Sequence, residues 1–127
     1  MTTTLSAGIA VSEILQAVAP DKVYPLYADF ETVKPCIVYQ RDGIEVERDK
    51  DGTSDEVCRM SVYVITSNYS EGVELAEQAR RALEGASVAV LAKYNLSEIA
   101  FAGADEYTES GTSTYIQQLY ITLLRYN

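Results

Sequence analysis

The order of parts between Lys34 and Gly85 most constrains the fold. A short apolar run, an acidic stretch, a strictly alternating run and an amphipathic helix follow one another without a break. The first run, residues 35–41, is Pro-Cys-Ile-Val-Tyr-Gln-Arg, β-branched and aromatic residues entered through a proline, which suits the start of a strand. In residues 57–66 Cys58, Met60, Val62 and Val64 alternate with Arg59, Ser61 and Tyr63, the period of a strand with one face buried and the other partly wet. After Ser67-Asn68-Tyr69-Ser70 the period changes. Leu75, Ala76, Ala79, Ala82 and Leu83 share one helical stripe, Glu74, Glu77, Gln78 and Arg81 lie mostly off it, and Gly85 ends it. Asn68 or Ser70 caps this helix, and Asn68 with Glu71 has capping-box spacing.

Between the two runs lie Asp42, Glu45, Glu47, Asp49, Asp51, Asp55 and Glu56, interspersed with Arg41, Arg48 and Lys50 and broken by Gly43 and Gly52. A connection of that length predicts a mobile arm rather than a tight turn. An earlier helix is predicted over residues 4–19, with Ala7, Val11, Ile14, Leu15 and Val18 as its stripe and Pro20-Asp21 as its stop. In residues 86–94 Val88, Val90 and Ala92 alternate, while the small residues could equally extend a helix or line a connector; the segment is read as a short strand or irregular link. In the last third, a strand over 97–107, a turn at Glu109-Ser110-Gly111-Thr112 and a long strand over 114–126 form a hairpin. Both parities of the last strand carry apolar residues, Ile116, Tyr120 and Leu124 on one and Tyr115, Leu119, Ile121 and Leu123 on the other. That places it centrally, or turns one of its faces towards another subunit. Together the parts predict an α+β domain spanning residues 1–127: a mostly antiparallel sheet of four or five strands with two helices packed on one face.

The chemistry available to such a chain is narrow. It has no histidine, which removes the usual general base near neutral pH, the commonest zinc ligand and every Ser-His or Cys-His nucleophile. Glu47, Asp49, Asp51 and Gly52 fall at the first, third, fifth and sixth positions of a calcium-loop pattern. The twelfth, which must be a bidentate acid, is Cys58, and the flanks are strands, so a dedicated EF-hand is rejected. The seven glycines form neither GxGxxG nor a Walker sequence. Cys36 and Cys58 read as two buried thiols rather than a disulfide framework. No cofactor or metal is called for, and the chain is not read as an enzyme.

The net charge of −9 and sequence pI near 4.4 argue against a surface built to grip phosphate backbones. They fit ordinary solubility. The first residues lack a basic n-region and the apolar stretch behind them is interrupted by Ser12, Glu13 and Gln16, so neither export nor a membrane span is expected. Tyrosine is over-used, ten against two phenylalanines and no tryptophan. That suits interfaces exposed before assembly and buried after it, but tyrosine is also a good strand residue.

The N-terminal helix leads to Val23-Tyr24-Pro25-Leu26, and Pro35-Cys36-Ile37-Val38-Tyr39 and Asp49-Lys50-Asp51-Gly52 follow. Further on come Val62-Tyr63-Val64 with Tyr69, the helix from Leu75 to Leu83, and a closing strand after Gly111. In these parts, across nearly the whole length, the chain resembles the tail-completion or tail-terminator proteins of long-tailed bacteriophages and prophages. The resemblance implies a six-membered ring of this chain that caps the head-proximal end of the tail tube, stops its growth and offers a surface to the head connector. The implied partners are other copies of the chain, the tail tube protein and the head-connector protein, without specific nucleic-acid binding. The implied location is the host cytoplasm during assembly and then the virion tail. On this reading Asp42, Glu45, Glu47, Asp49, Lys50, Asp51 and Asp55 of the arm, with Tyr63, Tyr115 and Tyr120 of the sheet, are the candidate assembly surface. A variant lacking residues 44–54 should then fold but fail to cap tubes. A small ligand-binding or enzymatic α+β domain, or a dimeric adaptor, are the alternatives.

Overall fold

A computed structural model describes residues 4–26, 34–48, 54–109, 111 and 113–126. A 3-10 turn at Thr4–Ser6 leads into helix α1, Ala7–Gln16. Ala7, Ala10, Val11 and Leu15 form its buried stripe. The helix stops earlier than the apolar pattern suggests. The amides of Val18 and Ala19 both return to the Leu15 carbonyl, and the Gln16 side chain accepts from the amide of Asp21, which sits at φ 61°. The chain then enters β1, Val23–Pro25, a strand the sequence reading did not separate. β1 runs parallel to β2, with Val23 opposite Ile37 and Pro25 opposite Tyr39. Proline is tolerated there because β1 is the outer strand.

The predicted mobile arm is corrected by the structure. β2, Cys36–Arg48, and β3, Ser54–Thr66, are each 13 residues long and stay paired antiparallel from Cys36↔Ile65 to Arg48↔Ser54. Glu45, Glu47 and Asp55 therefore sit in the ladder and Asp42 within the strand, and the 44–54 deletion would remove paired strand. The reason is a bulge. Arg41 faces Met60 and Gly43 faces Arg59, so Asp42 is an extra residue and the side-chain parity of β2 reverses there. Ile37 and Tyr39 before the bulge, and Ile44 after it, pack into the same cluster, although their spacing in sequence breaks the period of two.

α2, Tyr69–Glu84, starts as predicted, with the Asn68 side chain accepting from the Glu71 amide at 3.0 Å. Gly72, Ala76, Ala79 and Leu83 are its buried stripe and Leu75 packs beside them. Residues 86–94 hold a third helix, α3, Val88–Lys93, rather than a strand or an irregular link. Ser87 caps it by accepting from the Val90 amide, and Leu91 and Tyr94 pack inward while Val88 stays 83% exposed. The alternation of Val88, Val90 and Ala92 is outweighed by the cap and by the i, i+3 pair of inward residues. β4, Glu98–Glu109, and β5, Thr114–Arg125, form the terminal hairpin.

The five strands lie in the order β1-β2-β3-β5-β4, antiparallel except for β1. β5 is interior, which accounts for apolar residues on both of its parities. The main core joins α1, α2 and α3 to one sheet face through Ile37, Cys58, Met60, Val62, Val64, Leu119, Ile121 and Leu123. A smaller cluster of Cys36, Val38, Ile65 and Ile116, with Tyr24 and Tyr63, lies on the other face. The cysteines thus occupy opposite faces, free and buried, and burial pushes each thiol up to about 11.

Candidate functional site

On the sheet face turned away from the helices, the polar half of each strand meets that of the next. The Asp42 bulge places its carboxylate where Ser61 Oγ donates to it at 2.6 Å and Gln40 Nε2 at 3.1 Å. Ser61 is buried, so this bond satisfies a hydroxyl that would otherwise be costly there. The Gln118 amide donates to Tyr63 OH at 3.2 Å and to Ser61 Oγ at 3.3 Å, and its oxygen accepts from Tyr107 OH at 3.4 Å. Tyr120 OH donates to Asp105 Oδ2 at 2.7 Å, and that bond pushes the phenol up to about 12. Nearer the hairpin end Arg59 pairs with Glu45 at 2.6 Å and holds its carboxyl below the usual value. Beside this network is an open concavity of about 470 Å³. Val38, Ile65 and Ile116 form part of its lining, with Gln40, Tyr63 and Tyr107 among the polar groups.

The structure therefore brings Asp42, Tyr63 and Tyr120 together on one face, and register places Glu45, Glu47 and Asp55 further along the same face. Tyr115 is separated from them. Its parity points to the helices, where its ring meets Tyr69 edge-on with centroids 6.1 Å apart. Tyr69 in turn donates to Glu106, which also accepts from Gln117, and both contacts keep the Glu106 carboxyl low. Asp49, Lys50 and Asp51 lie outside the described residues. Gln40, Ser61, Asp105, Tyr107 and Gln118 belong to the network but were not singled out in sequence. For Ser61 and Gln118 the visible signal was a polar residue on the wet parity of a strand.

Among the described residues no group of three or more His, Cys, Asp or Glu side chains is placed to hold a metal ion, and no helix is long and apolar enough to cross a membrane. On this face Asp42 is engaged by Ser61 and Gln40, Asp105 by Tyr120 and Glu45 by Arg59. Such a surface is suited to contact: aromatic area tipped with hydroxyls, held in place by neighbours.

A search of solved structures finds the same fold in a chain described as "Virion of native gene transfer agent (GTA) particle". The TM-score is 0.74 at 16% identity, over 98% of this chain and 100% of that one. No curated protein sequence matches. The sequence matches the family described as "Tail completion protein gp17" over residues 1–123. The chain belongs to this tail-completion family and is a structural tail protein.

Proposed function

We propose that this protein caps the head-proximal end of the tail tube as a homo-hexameric ring, ending tube growth and presenting a surface to which the head connector joins. The observation that carries the reading is the family match across residues 1–123. The gene transfer agent chain of the same fold belongs to a virion particle, which supports assembly with other particle proteins. The tyrosine network on the sheet face turned away from the helices supports association rather than catalysis. The partners are further copies of the chain, the tail tube protein and the head-connector protein, met in the host cytoplasm and retained in the virion tail.

Electron microscopy of a lysate of the parent phage or prophage lacking this gene tests the reading. Overlong tubes, or unattached heads and tails, restored to whole particles by added protein are the expected result. Normal virions without the gene would overturn it.

A further inference from the structure

The two outer edges of the sheet are matched in strand direction, and cations occur on one of them only. On one side β4 pairs with β5 alone among the described strands. On the other, β1 covers β2 only from Ile37 to Tyr39, so among the described residues the nine from Gln40 to Arg48 have a strand neighbour on the β3 side only. Exposed edges of this length are normally paired, covered or blunted. Here each is interrupted by a single bulge, at Asp42 and at Ala102.

Because β2, β3, β5 and β4 alternate in direction, a neighbour related by rotation about an axis roughly along the strands brings its β2 beside β4 in antiparallel sense. That is the pairing with perpendicular ladder bonds. β4 carries Glu98, Asp105, Glu106 and Glu109 and no cation. The facing edge is mixed, with Lys22 beside β1 and Arg41 and Arg48 within β2 against Asp42, Glu45 and Glu47; Glu45 is held by Arg59 and Asp42 by Ser61 and Gln40, as Asp105 and Glu106 of β4 are held by Tyr120 and by Tyr69 and Gln117. In the antiparallel arrangement Lys22 lies towards Glu106 and Glu109, and Arg48 towards Glu98.

We infer that β4 of one copy adds to the Gln40-to-Arg48 edge of the next, so that subunits join head to tail by sheet continuation. The inference rests on the ring reading above and names the surfaces that would close it. The two bulges confine pairing to a register that accommodates both, which discourages indiscriminate edge association.

Hydrogen exchange of the unmodified chain, free and bound to tail tubes from the gene-deleted lysate, is the first test. Exchange should slow together in residues 40–48 and 98–108 on capping. Cysteine pairs are the second, combining Arg41→Cys or Glu47→Cys with Ala102→Cys, Ala104→Cys or Thr108→Cys and a short bismaleimide. Cys36 and Cys58 are buried and leave the background low. Capped tubes should give a covalent ladder ending at the closed ring, whereas Glu77→Cys on the outer side of α2, combined with the β2 variants, should give none. Visible rings or caps without protection of both edges, or a ladder from Glu77→Cys alone, would overturn the edge pairing and leave the capping reading standing. Failure to form any ring or cap would overturn both.

Discussion

Replacing Gly72 with alanine tests how tightly α2 is laid on the sheet. A Cβ at Gly72 would lie 2.7 Å from Thr66 Oγ1 and 3.8 Å from Thr66 Cβ and Cγ2. Thr66 is fully buried at the end of β3, its hydroxyl donates to the Asn68 carbonyl at 2.8 Å, and the Gly72 amide donates to the same carbonyl at 3.0 Å. The threonine cannot swing away cheaply, because rotation breaks its hydrogen bond and moves a methyl into the space vacated. Overpacking of this kind costs about 1–3 kcal/mol. The gain in helix propensity from glycine to alanine offsets about 1 kcal/mol, so Gly72→Ala should destabilise by about 0–2 kcal/mol net. Urea unfolding followed by circular dichroism measures this directly as a lower midpoint at unchanged slope. Thr66→Ala removes the clashing oxygen and by itself costs about 1–2 kcal/mol for the lost hydroxyl bond and buried methyl. In the double variant the added methyl has room, so the two changes should be less than additive by about 1–2 kcal/mol. A Gly72→Ala protein more stable than the parent, or strict additivity in the cycle, would refute the close approach of α2 to β3.

Asn68→Ala removes the cap of the same helix and should cost about 1 kcal/mol by the same urea assay, with exchange of the Glu71 amide accelerating. The carboxyls of Glu13, Glu45 and Glu106 are held low by hydrogen bonds from Lys93, Arg59 and Gln117. Their stabilisation is present above the ordinary carboxylate value near 4.5 and is lost as pH falls through the lower folded values. The Glu13→Gln, Glu45→Gln, Glu106→Gln variant should therefore show a flatter decline of melting temperature below pH 4.5. Tyr120 has the opposite sign: its phenol is raised from 10 to about 12 by Asp105. Its contribution is full below pH 10 and lost as pH rises through 12, and Asp105→Asn should move one tyrosinate absorbance step to lower pH. Ellman's reagent should leave both cysteines of the folded chain unreacted and titrate both in urea, since their thiols are buried and raised to about 11.

How much of this was legible in sequence depends on where the period of two survives. From Cys58 to Val64 it is unbroken, and the reading of β3 and the helix after it matches the structure. In β2 the apolar residues fall at odd positions, Ile37 and Tyr39, then at an even one, Ile44. A strand pattern with one residue too many looks like a strand that ends, followed by a charged loop, and seven carboxylates between residues 42 and 56 strengthened that impression. β4 repeats the effect, with Ile99 and Phe101 on the helix side and Ala104 and Glu106 following after Ala102 is skipped. The bulges that hid the strands also build the site. Without the extra residue at Asp42, Glu45 would fall on the helix side away from Arg59, and without the one at Ala102, Asp105 and Tyr107 would face the helices instead of Tyr120 and Gln118. The candidate surface was thus least visible at the positions that create it. A parity break flanked by apolar residues and a glycine, as at Asp42-Gly43 and Ala102-Gly103, is the sequence signal of that geometry.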